Sequence, residues 1–209
     1  MPANQITQAH LFVDLYQLTM AQSYWRTMPN TRGTFELSFR SMPPNRGYMV
    51  LYGARIAINL IRNFGFGPDD LSFLRDLNKF DPQFLEYMSD LSFNCTVGSM
   101  RDGEIVFGGE PIIQITGSII QAQLLETLLI NTINLRSILA TKCSRVLSSA
   151  SPKTVVDFGA RRSPGIESAI AFSEAGHLVG FEGTATVISG SNFSIPLIGT
   201  MAHSYVLAF

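Results

Sequence analysis

Three short apolar runs near the end of the chain are each followed by side chains that could do chemistry. The runs cover residues 154–158, 178–181 and 197–200. The polar residues that end or follow them are Arg161, Arg162, Glu182, Thr200, His203 and Ser204. In α/β barrels the reactive groups sit at the carboxyl ends of the strands. The three runs therefore predict a site that combines a cationic clamp, a carboxylate, a hydroxyl and an imidazole.

Taken by residue type alone, the arginines offer fixed positive charge and the histidine offers an imidazole. Adjacent residues on a strand end point to opposite sides, so we expect only one of Arg161 and Arg162 to reach a shared ligand. The three histidines of the chain show no spacing typical of zinc ligands. Each of these residues by itself is typical of a solvated surface. A site is favoured because candidate residues follow each of three successive predicted strands.

The segment after residue 150 alternates between strand and helix patterns. Helical stretches at 167–174 and 184–189 separate the apolar runs, with the last strand predicted at 196–200. This alternation predicts a parallel sheet or barrel. The residues from 154 onward are too few for an eight-stranded barrel of about 250 residues. We therefore expect the sequence to stop in mid-domain.

The preceding residues read as an α+β arrangement. A helix is predicted over 11–28, with Asp14 capping it or charging its first turn and with Tyr16 at its edge. A half-buried strand is predicted over 34–40. A helix over 48–62 and a strand meander over 93–116 follow. Residues 121–149 form one long helical pattern, or two helices that meet near Asn134, and the pair Ser151–Pro152 ends it. We place domains at 1–150 and 151–209.

Composition excludes several classes of protein. The chain has 209 residues, of which 46% are hydrophobic, and a net charge of −1, so neither a nucleic-acid surface nor an acidic tail is indicated. Charged residues make up only 15%, which suggests surface buried against a second subunit. The apolar stretch 119–138 carries too many polar side chains for a membrane span. Two separated cysteines and no signal peptide pattern indicate a cytoplasmic chain.

Four motifs resemble those of the nicotinate phosphoribosyltransferase family. They are DLYQLTM at 14–20, QLLET at 123–127, DFGARR at 157–162 and GTMAHS at 199–204. The resemblance runs from about residue 11 to the end, in the order and spacing of the family, over roughly the N-terminal half of a member. It implies an α/β fold, in which an α+β N-terminal domain precedes the first strands of an incomplete type II phosphoribosyltransferase barrel.

The resemblance also implies an activity in NAD salvage. Family members join nicotinate to 5-phosphoribosyl 1-pyrophosphate, giving nicotinate mononucleotide and pyrophosphate. ATP hydrolysis is coupled through a phosphorylated histidine, with Mg²⁺ as a cofactor. The family is homodimeric, with sites near the subunit interface, and neither nucleic acid nor a membrane is an expected partner.

Carried over by motif, the resemblance assigns roles to particular residues. Tyr16 and Thr200 would contact nicotinate, His203 would be the phosphorylated histidine, and Arg161 and Arg162 would face the pyrophosphate. Glu182 and Ser204 are kept as further candidates. The family pattern after Phe181 is Asp-Gly/Ala-Thr-Ser-Asn-Val, whereas this chain reads EGTATV at 182–187. This difference alters the local hydrogen-bonding groups at Ala185 and Thr186.

Two alternatives remain open from the sequence. The chain could belong to the related quinolinate or nicotinamide enzymes, although the motifs around Tyr16 and at 199–204 favour nicotinate. It could also be a degenerate, non-catalytic chain that binds a partner, since a truncated barrel exposes strand edges and apolar surface. With much of the barrel missing, we expect the isolated chain to be inactive.

Overall fold

The computed structural model of the protein describes residues 9–209, which form two compact units. Of the described residues, those up to Leu135 belong to the first unit, and Arg136–Phe209 belong to the second. The change from one unit to the other lies inside a long helix, Glu126–Ala150, rather than after it. The sequence placed a boundary near residue 150, where the helical pattern ends. A helix can be shared between two units, so its end need not mark their boundary.

The first unit mixes helices with short antiparallel strands. Its helices are α1 (Leu15–Thr27), α2 (Ala54–Arg62), α3 (Pro68–Asp76), α4 (Pro82–Ser89), α5 (Ile119–Leu124) and the start of α6 (Glu126–Ala150). Its strands are β1 (Arg32–Ser38), β2 (Met49–Val50), β3 (Thr96–Ser99), β4 (Ile105–Val106) and β5 (Pro111–Ser118). A 3₁₀ turn at Ala9–Leu11 precedes α1.

β5 is the central strand of the larger sheet, whose order is β1-β5-β3. Both neighbours are antiparallel to it, and Ile115 pairs with Phe35 on one side and with Val97 on the other. β2 and β4 pair separately. β5 alternates between exposed and buried positions for most of its length, which is the pattern of a strand with one face in the core.

The largest fully buried side chains of the described residues all belong to the first unit. They are Gln17, Met49, Leu51, Phe84, Leu85, Met88, Ile112, Ile113, Ile120, Leu124, Leu125 and Ile133. Half of them come from β5 and the α5–α6 region, so the predicted all-round apolar helix is packed on several sides. Gln17 is the polar exception in this core.

The second unit alternates strands and helices, as the sequence predicts. It contains the rest of α6, β6 (Val156–Asp157), a 3₁₀ turn (Ala160–Arg162), α7 (Ile166–Val179), β7 (Gly183–Thr184), α8 (Val187–Phe193) and α9 (His203–Ala208). β6 and β7 are parallel, with Asp157 opposite Thr184. Leu197 forms a further parallel bridge with Thr184. Three chain segments therefore run side by side in one direction, which confirms the predicted α/β arrangement.

Several predicted boundaries differ from the structure. The helix predicted over 48–62 starts at Ala54, because Met49 and Val50 pair with β4 instead. The long helical pattern does consist of two helices, but they meet at Leu125 rather than near Asn134. The segment around Leu197 was expected to be a buried strand, whereas it makes one bridge and Leu197 is 53% exposed. No helix within residues 9–209 is long and apolar enough to cross a bilayer.

A close approach between β7 and the segment that follows α8 requires glycine at position 183. A Cβ on Gly183 would lie 2.6 Å from the carbonyl oxygen of Pro196 and 2.8 Å from a side-chain carbon of Ile198. The same carbonyl accepts the hydrogen bond from the Thr184 N–H. We expect Gly183→Ala to lower the free energy of unfolding by about 2 kcal/mol, as measured by urea denaturation. Gly199→Ala is the matched control, because its Cβ would meet nothing within 4 Å; equal stability of both variants would contradict the close approach.

Candidate functional site

Arg161 and Arg162 leave the carboxyl end of β6 on a short turn. They occupy the 3₁₀ helix Ala160–Arg162, which follows β6 after two residues, and both side chains are exposed. Within residues 9–209 neither guanidinium donates a hydrogen bond or forms an ion pair. The expectation that they alternate as on a strand is wrong, because a 3₁₀ helix has about three residues per turn and separates neighbours by about 120°. Both donor groups are therefore available to an anionic ligand.

Thr200, His203 and Ser204 follow the third parallel segment. The bridge at Leu197 orders the segments as β6, β7 and 197, so this loop leaves from the same edge as the arginines. Neighbouring strands lie about 4.8 Å apart, which puts the two outer segments about 10 Å from each other. His203 and Ser204 are the first residues of α9, and all three side chains are exposed.

Glu182 lies on the opposite edge of the parallel segments. The run at 178–181 was predicted to be a strand that delivers Glu182 at its carboxyl end. Instead α7 continues to Val179 and ends at Gly180, whose φ of 111° is left-handed. The strand is Gly183–Thr184, so Glu182 precedes it, and its N–H donates to the carbonyl of Val155. Its position at the amino end of β7 separates this exposed carboxylate from the arginine-bearing edge.

Asp157 is a buried residue of this region to which the sequence analysis gave no role. Its side chain is 3% exposed, and its Oδ1 accepts a 2.7 Å hydrogen bond from the Gly159 N–H. Its Oδ2 accepts from the hydroxyls of Ser173 at 2.6 Å and Thr184 at 2.8 Å. The signal in the sequence was the acidic residue that opens the DFGARR motif, but its partners lie 16 and 27 residues away.

Two of the three residues that differ from the family pattern, Ala185 and Thr186, lie directly after β7. The N–H of Thr186 donates to the Thr184 hydroxyl at 3.0 Å, and the N–H of Ala185 donates to the carbonyl of Asp157 at 2.8 Å. The hydroxyl of Thr186 is buried and has no hydrogen-bond partner within residues 9–209. The backbone network of this loop is therefore intact, while one side-chain group in it is unsatisfied.

Cys143 is the buried thiol of the second unit and does not add a nucleophile. Burial, followed by the negative charge of Asp157, raises its pKa to about 12. A thiol with such a pKa carries almost no thiolate at neutral pH. The reactive groups of the second unit are thus the exposed cations, hydroxyls and imidazole.

Tyr16 lies in the first unit, on α1, and contacts the start of α6. Its ring is 49% exposed, and its hydroxyl donates to Oε2 of Glu126 at 3.2 Å. The same oxygen accepts from Nε2 of the buried Gln17 at 3.3 Å, and that amide also donates to the carbonyl of Gln123 at 3.2 Å. Glu126 therefore holds the hydroxyl end of the tyrosine side chain, and about half of the residue stays exposed.

The two N-terminal motifs meet in this cluster. The Thr127 hydroxyl donates to Oδ2 of Asp14 at 2.6 Å, and the Asp14 N–H donates to Oε1 of Gln17 at 2.9 Å. Residues 14–20 and 123–127, more than a hundred positions apart, are thus joined by side-chain hydrogen bonds. Tyr16 was predicted as a site residue, whereas Glu126 was not. The one feature of the sequence that could have indicated Glu126 is its position in the second motif.

The environment of Tyr16 makes its hydroxyl harder to ionise. Desolvation, followed by the charge and the hydrogen bond of Glu126, raises the pKa of Tyr16 above its ordinary value of 10.0. We expect Glu126→Gln to bring the pKa of Tyr16 back toward that value, because the negative charge is removed. The measurement is an alkaline titration of tyrosine signals by NMR, with Tyr16→Phe to assign the resonance. An unchanged titration curve would contradict the contact.

A cavity of about 550 Å³ lies in the first unit beside this cluster. Its walls come from β1, β5, α5 and α6, and Glu126 links it to Tyr16. Phe35, Leu37 and Phe39, which belong to the segment predicted as a half-buried strand, line this cavity, and Phe35 is 37% exposed. The volume falls within the range of about 300–1,000 Å³ that is typical of small-molecule pockets.

No group of three or more histidine, cysteine or acidic residues within the described part of the chain could hold a metal ion. Mg²⁺ keeps several waters and is usually bound through substrate phosphates with one or two carboxylates. The described residues do not form a resident metal cage.

Comparison with known proteins gives a consistent family. Residues 11–134, more than half of the chain, match the model of the nicotinate phosphoribosyltransferase (NAPRTase) N-terminal domain. A nicotinate phosphoribosyltransferase of Mycobacterium tuberculosis, pncB2, is 40% identical over 199 residues, which are 95% of this chain and 43% of that protein. The Bacillus subtilis nicotinate phosphoribosyltransferase is 38% identical over 200 residues, 95% of this chain and 41% of that one.

A solved structure agrees in fold. The crystal structure of human nicotinic acid phosphoribosyltransferase superimposes with a TM-score of 0.85 at 33% identity, covering 94% of this chain and 40% of that chain. This chain thus spans about two fifths of the length of the relatives that it matches. On the match of the N-terminal domain model and the agreement of these relatives, the chain belongs to the nicotinate phosphoribosyltransferase family.

Proposed function

We propose that this chain forms part of an enzyme of NAD salvage that makes nicotinate mononucleotide. In the proposed reaction the pyridine nitrogen of nicotinate bonds to the anomeric carbon of 5-phosphoribosyl 1-pyrophosphate. The bond from that carbon to pyrophosphate breaks, and pyrophosphate leaves with the electron pair. The observation that carries the proposal is the shared edge of three parallel segments, where Arg161 and Arg162 precede the loop of Thr200 and His203.

The arginines are proposed to bind the leaving pyrophosphate. Negative charge builds on the pyrophosphate as the ribose carbon becomes cation-like, and a guanidinium fork stabilises that charge through paired N–H donors. Both guanidinium groups are exposed and make no ion pair within residues 9–209, so binding breaks no existing interaction of theirs. Thr200 and Ser204, on the same edge, offer hydroxyl donors.

Tyr16 is proposed to pack its ring against the flat pyridine. An aromatic face buries area and stacks favourably on such a ring. The hydrogen bond to Glu126 occupies the hydroxyl at one end of the side chain and leaves the ring half exposed. A fixed ring loses less entropy on binding than a mobile one does.

His203 is proposed to accept a phosphoryl group from ATP, which would make the protein a phosphohistidine enzyme of the ligase type. Its imidazole is exposed at the start of α9 and is not engaged in a hydrogen bond or ion pair within residues 9–209. Mg²⁺ would neutralise phosphate charge when bound.

The partners proposed are nicotinate, 5-phosphoribosyl 1-pyrophosphate, ATP and a second copy of the protein in a homodimer. The low share of charged residues supports a subunit surface that is buried in the assembly. We further propose a cytoplasmic location, without a nucleic-acid or membrane partner.

An acceptor assay tests the proposal. The relatives are more than twice as long as the stretch they share with this chain, so we propose that the chain alone does not turn over. The assay therefore compares it with a chimera in which residues 11–209 replace the aligned region of the Bacillus subtilis relative. Each protein receives 5-phosphoribosyl 1-pyrophosphate with nicotinate, quinolinate or nicotinamide, and mononucleotides are separated by chromatography. We expect the chimera to use nicotinate; preference for either other acceptor would overturn the assignment.

Two further outcomes of this assay, one for the isolated chain and one for the chimera, would contradict parts of the proposal. Robust nicotinate mononucleotide synthesis by the isolated chain would refute the proposed need for additional residues. A chimera that is folded but inactive with all three acceptors would favour the non-catalytic alternative.

A further inference from the structure

We propose that Asp157 is a positioning residue that sets the geometry of the two loops leaving β6 and β7. Each of its carboxylate oxygens holds one loop: Oδ1 holds the turn that carries Arg161 and Arg162, and Oδ2 holds the turn at Ala185 and Thr186. The inference rests on the proposed function of the two arginines. It adds a residue that touches no substrate but decides where the guanidinium groups stand.

The first arm runs through Gly159. Its N–H donates to Oδ1 of Asp157 at 2.7 Å, and Gly159 is the residue that begins the 3₁₀ turn. The Arg162 N–H then donates to the carbonyl of Gly159 at 2.9 Å. A displacement of Gly159 is therefore passed directly to the backbone of Arg162.

The second arm runs through Thr184. Its hydroxyl donates to Oδ2 of Asp157 at 2.8 Å and accepts from the N–H of Thr186 at 3.0 Å. The Ser173 hydroxyl donates to the same oxygen at 2.6 Å and so connects the carboxylate to α7. One side chain thus couples both strand ends to the helix packed against them.

The chemical nature of the group favours positioning over stability. Asp157 is 3% exposed and has no ion pair with a lysine, arginine or histidine among residues 9–209. A buried carboxylate costs desolvation free energy, and here the three hydrogen bonds that Asp157 accepts offset that cost. The two oxygens of a carboxylate accept hydrogen bonds at preferred angles, so Asp157 fixes the positions of the donor groups around it.

The test measures the affinity of the 209-residue chain for inorganic pyrophosphate by titration calorimetry. We expect Asp157→Ala to weaken binding at least about fivefold, because small misplacements of binding groups have large effects. Asp157→Asn should restore affinity to within about twofold, since its amide oxygen can still accept from Gly159 and its NH₂ can donate to the two hydroxyls. Ser173→Ala removes one partner of Oδ2 and leaves the Gly159 bond in place, so we expect it to lower the melting temperature without weakening binding.

A second variant, Gly159→Ala, disturbs the hydrogen bond between the Gly159 N–H and Oδ1 of Asp157 and keeps the carboxylate. A Cβ at Gly159 would lie 3.2 Å from Oδ1 of Asp157, and Gly159→Ala leaves both hydroxyl bonds to Oδ2 in place. We expect it to weaken pyrophosphate binding at least about threefold. If Asp157→Ala does not fold, this variant decides: unchanged affinity in folded Gly159→Ala overturns the proposal.

The outcomes separate the inference from the function on which it rests. Equal affinity of the unaltered chain and of the double variant Arg161→Gln, Arg162→Gln contradicts the proposed arginine role. Loss of binding in that double variant, together with unaltered binding in folded Asp157→Ala, contradicts the positioning role alone. The affinity for pyrophosphate could also fall in proportion to the melting temperature in all variants, Ser173→Ala included. Asp157 would then be a structural residue only, and the positioning proposal would be overturned.

Discussion

Replacing Arg161 or Arg162 by glutamine is expected to lower kcat/KM of the chimera by about 100-fold to 1,000-fold for at least one of the two. Loss of one preorganised donor to developing charge costs on the order of 3 kcal/mol, and a guanidinium fork supplies two donors. The two side chains leave the 3₁₀ turn in different directions, so we expect unequal effects. The measurement is the initial rate of nicotinate mononucleotide formation at subsaturating 5-phosphoribosyl 1-pyrophosphate.

Arg145→Gln is the matched control for these variants. Arg145 is also exposed, in the second unit, but lies within α6 and not at a strand end. We expect its activity to stay within twofold of the unaltered protein, because exposed substitutions away from a site have small effects. Equal activities for all three variants would contradict pyrophosphate binding by the arginines.

His203→Ala is expected to abolish the rate increase that ATP gives, while activity without ATP remains. The imidazole is the proposed phosphoryl acceptor, and alanine offers no nucleophile. Rates are measured with and without ATP, and transfer of label from γ-labelled ATP to the protein is followed in parallel. ATP stimulation that survives the substitution would exclude His203 as the acceptor.

His177→Ala controls for the general loss of a histidine. His177 is exposed as well, but it lies in the last turn of α7. We expect it to keep both the ATP effect and the protein label. Loss of label in this variant would move the acceptor role away from His203.

Local patterns predicted much of the architecture. The alternation of strands and helices after residue 150 indicated parallel segments, and β6, β7 and Leu197 are parallel. The break at Ser151–Pro152 ends α6 as expected, because proline cannot continue a helix. Both results depend on short-range features that the sequence states directly.

The predicted secondary structure was wrong where strand pairing between distant residues, or the end of a helix, determined the local conformation. Met49 and Val50 follow a helical pattern but pair with β4, more than fifty residues away. Glu182 was misplaced because the apolar residues Leu178 and Val179 read as a strand, whereas Gly180 ends α7 in a left-handed conformation. A glycine just after a periodic segment is a helix stop signal, so this error was avoidable from the sequence.

The candidate site was predictable only in its exposed members. Arg161, Arg162 and His203 stand out by residue type, and the roles given to them remain predictions. Asp157 and Glu126 gained significance from contacts that join residues far apart in the chain. Side-chain networks of this kind follow from the fold, so no local pattern indicates them.

A crystal structure of the chain with bound pyrophosphate tests the central claim most directly. We predict that the anion lies within hydrogen-bonding distance of the guanidinium of Arg161 or Arg162, on the edge where the loops of Thr200 and His203 also emerge. Pyrophosphate seated instead at the amino edge beside Glu182, or a His203 imidazole facing away from the anion, would contradict the account.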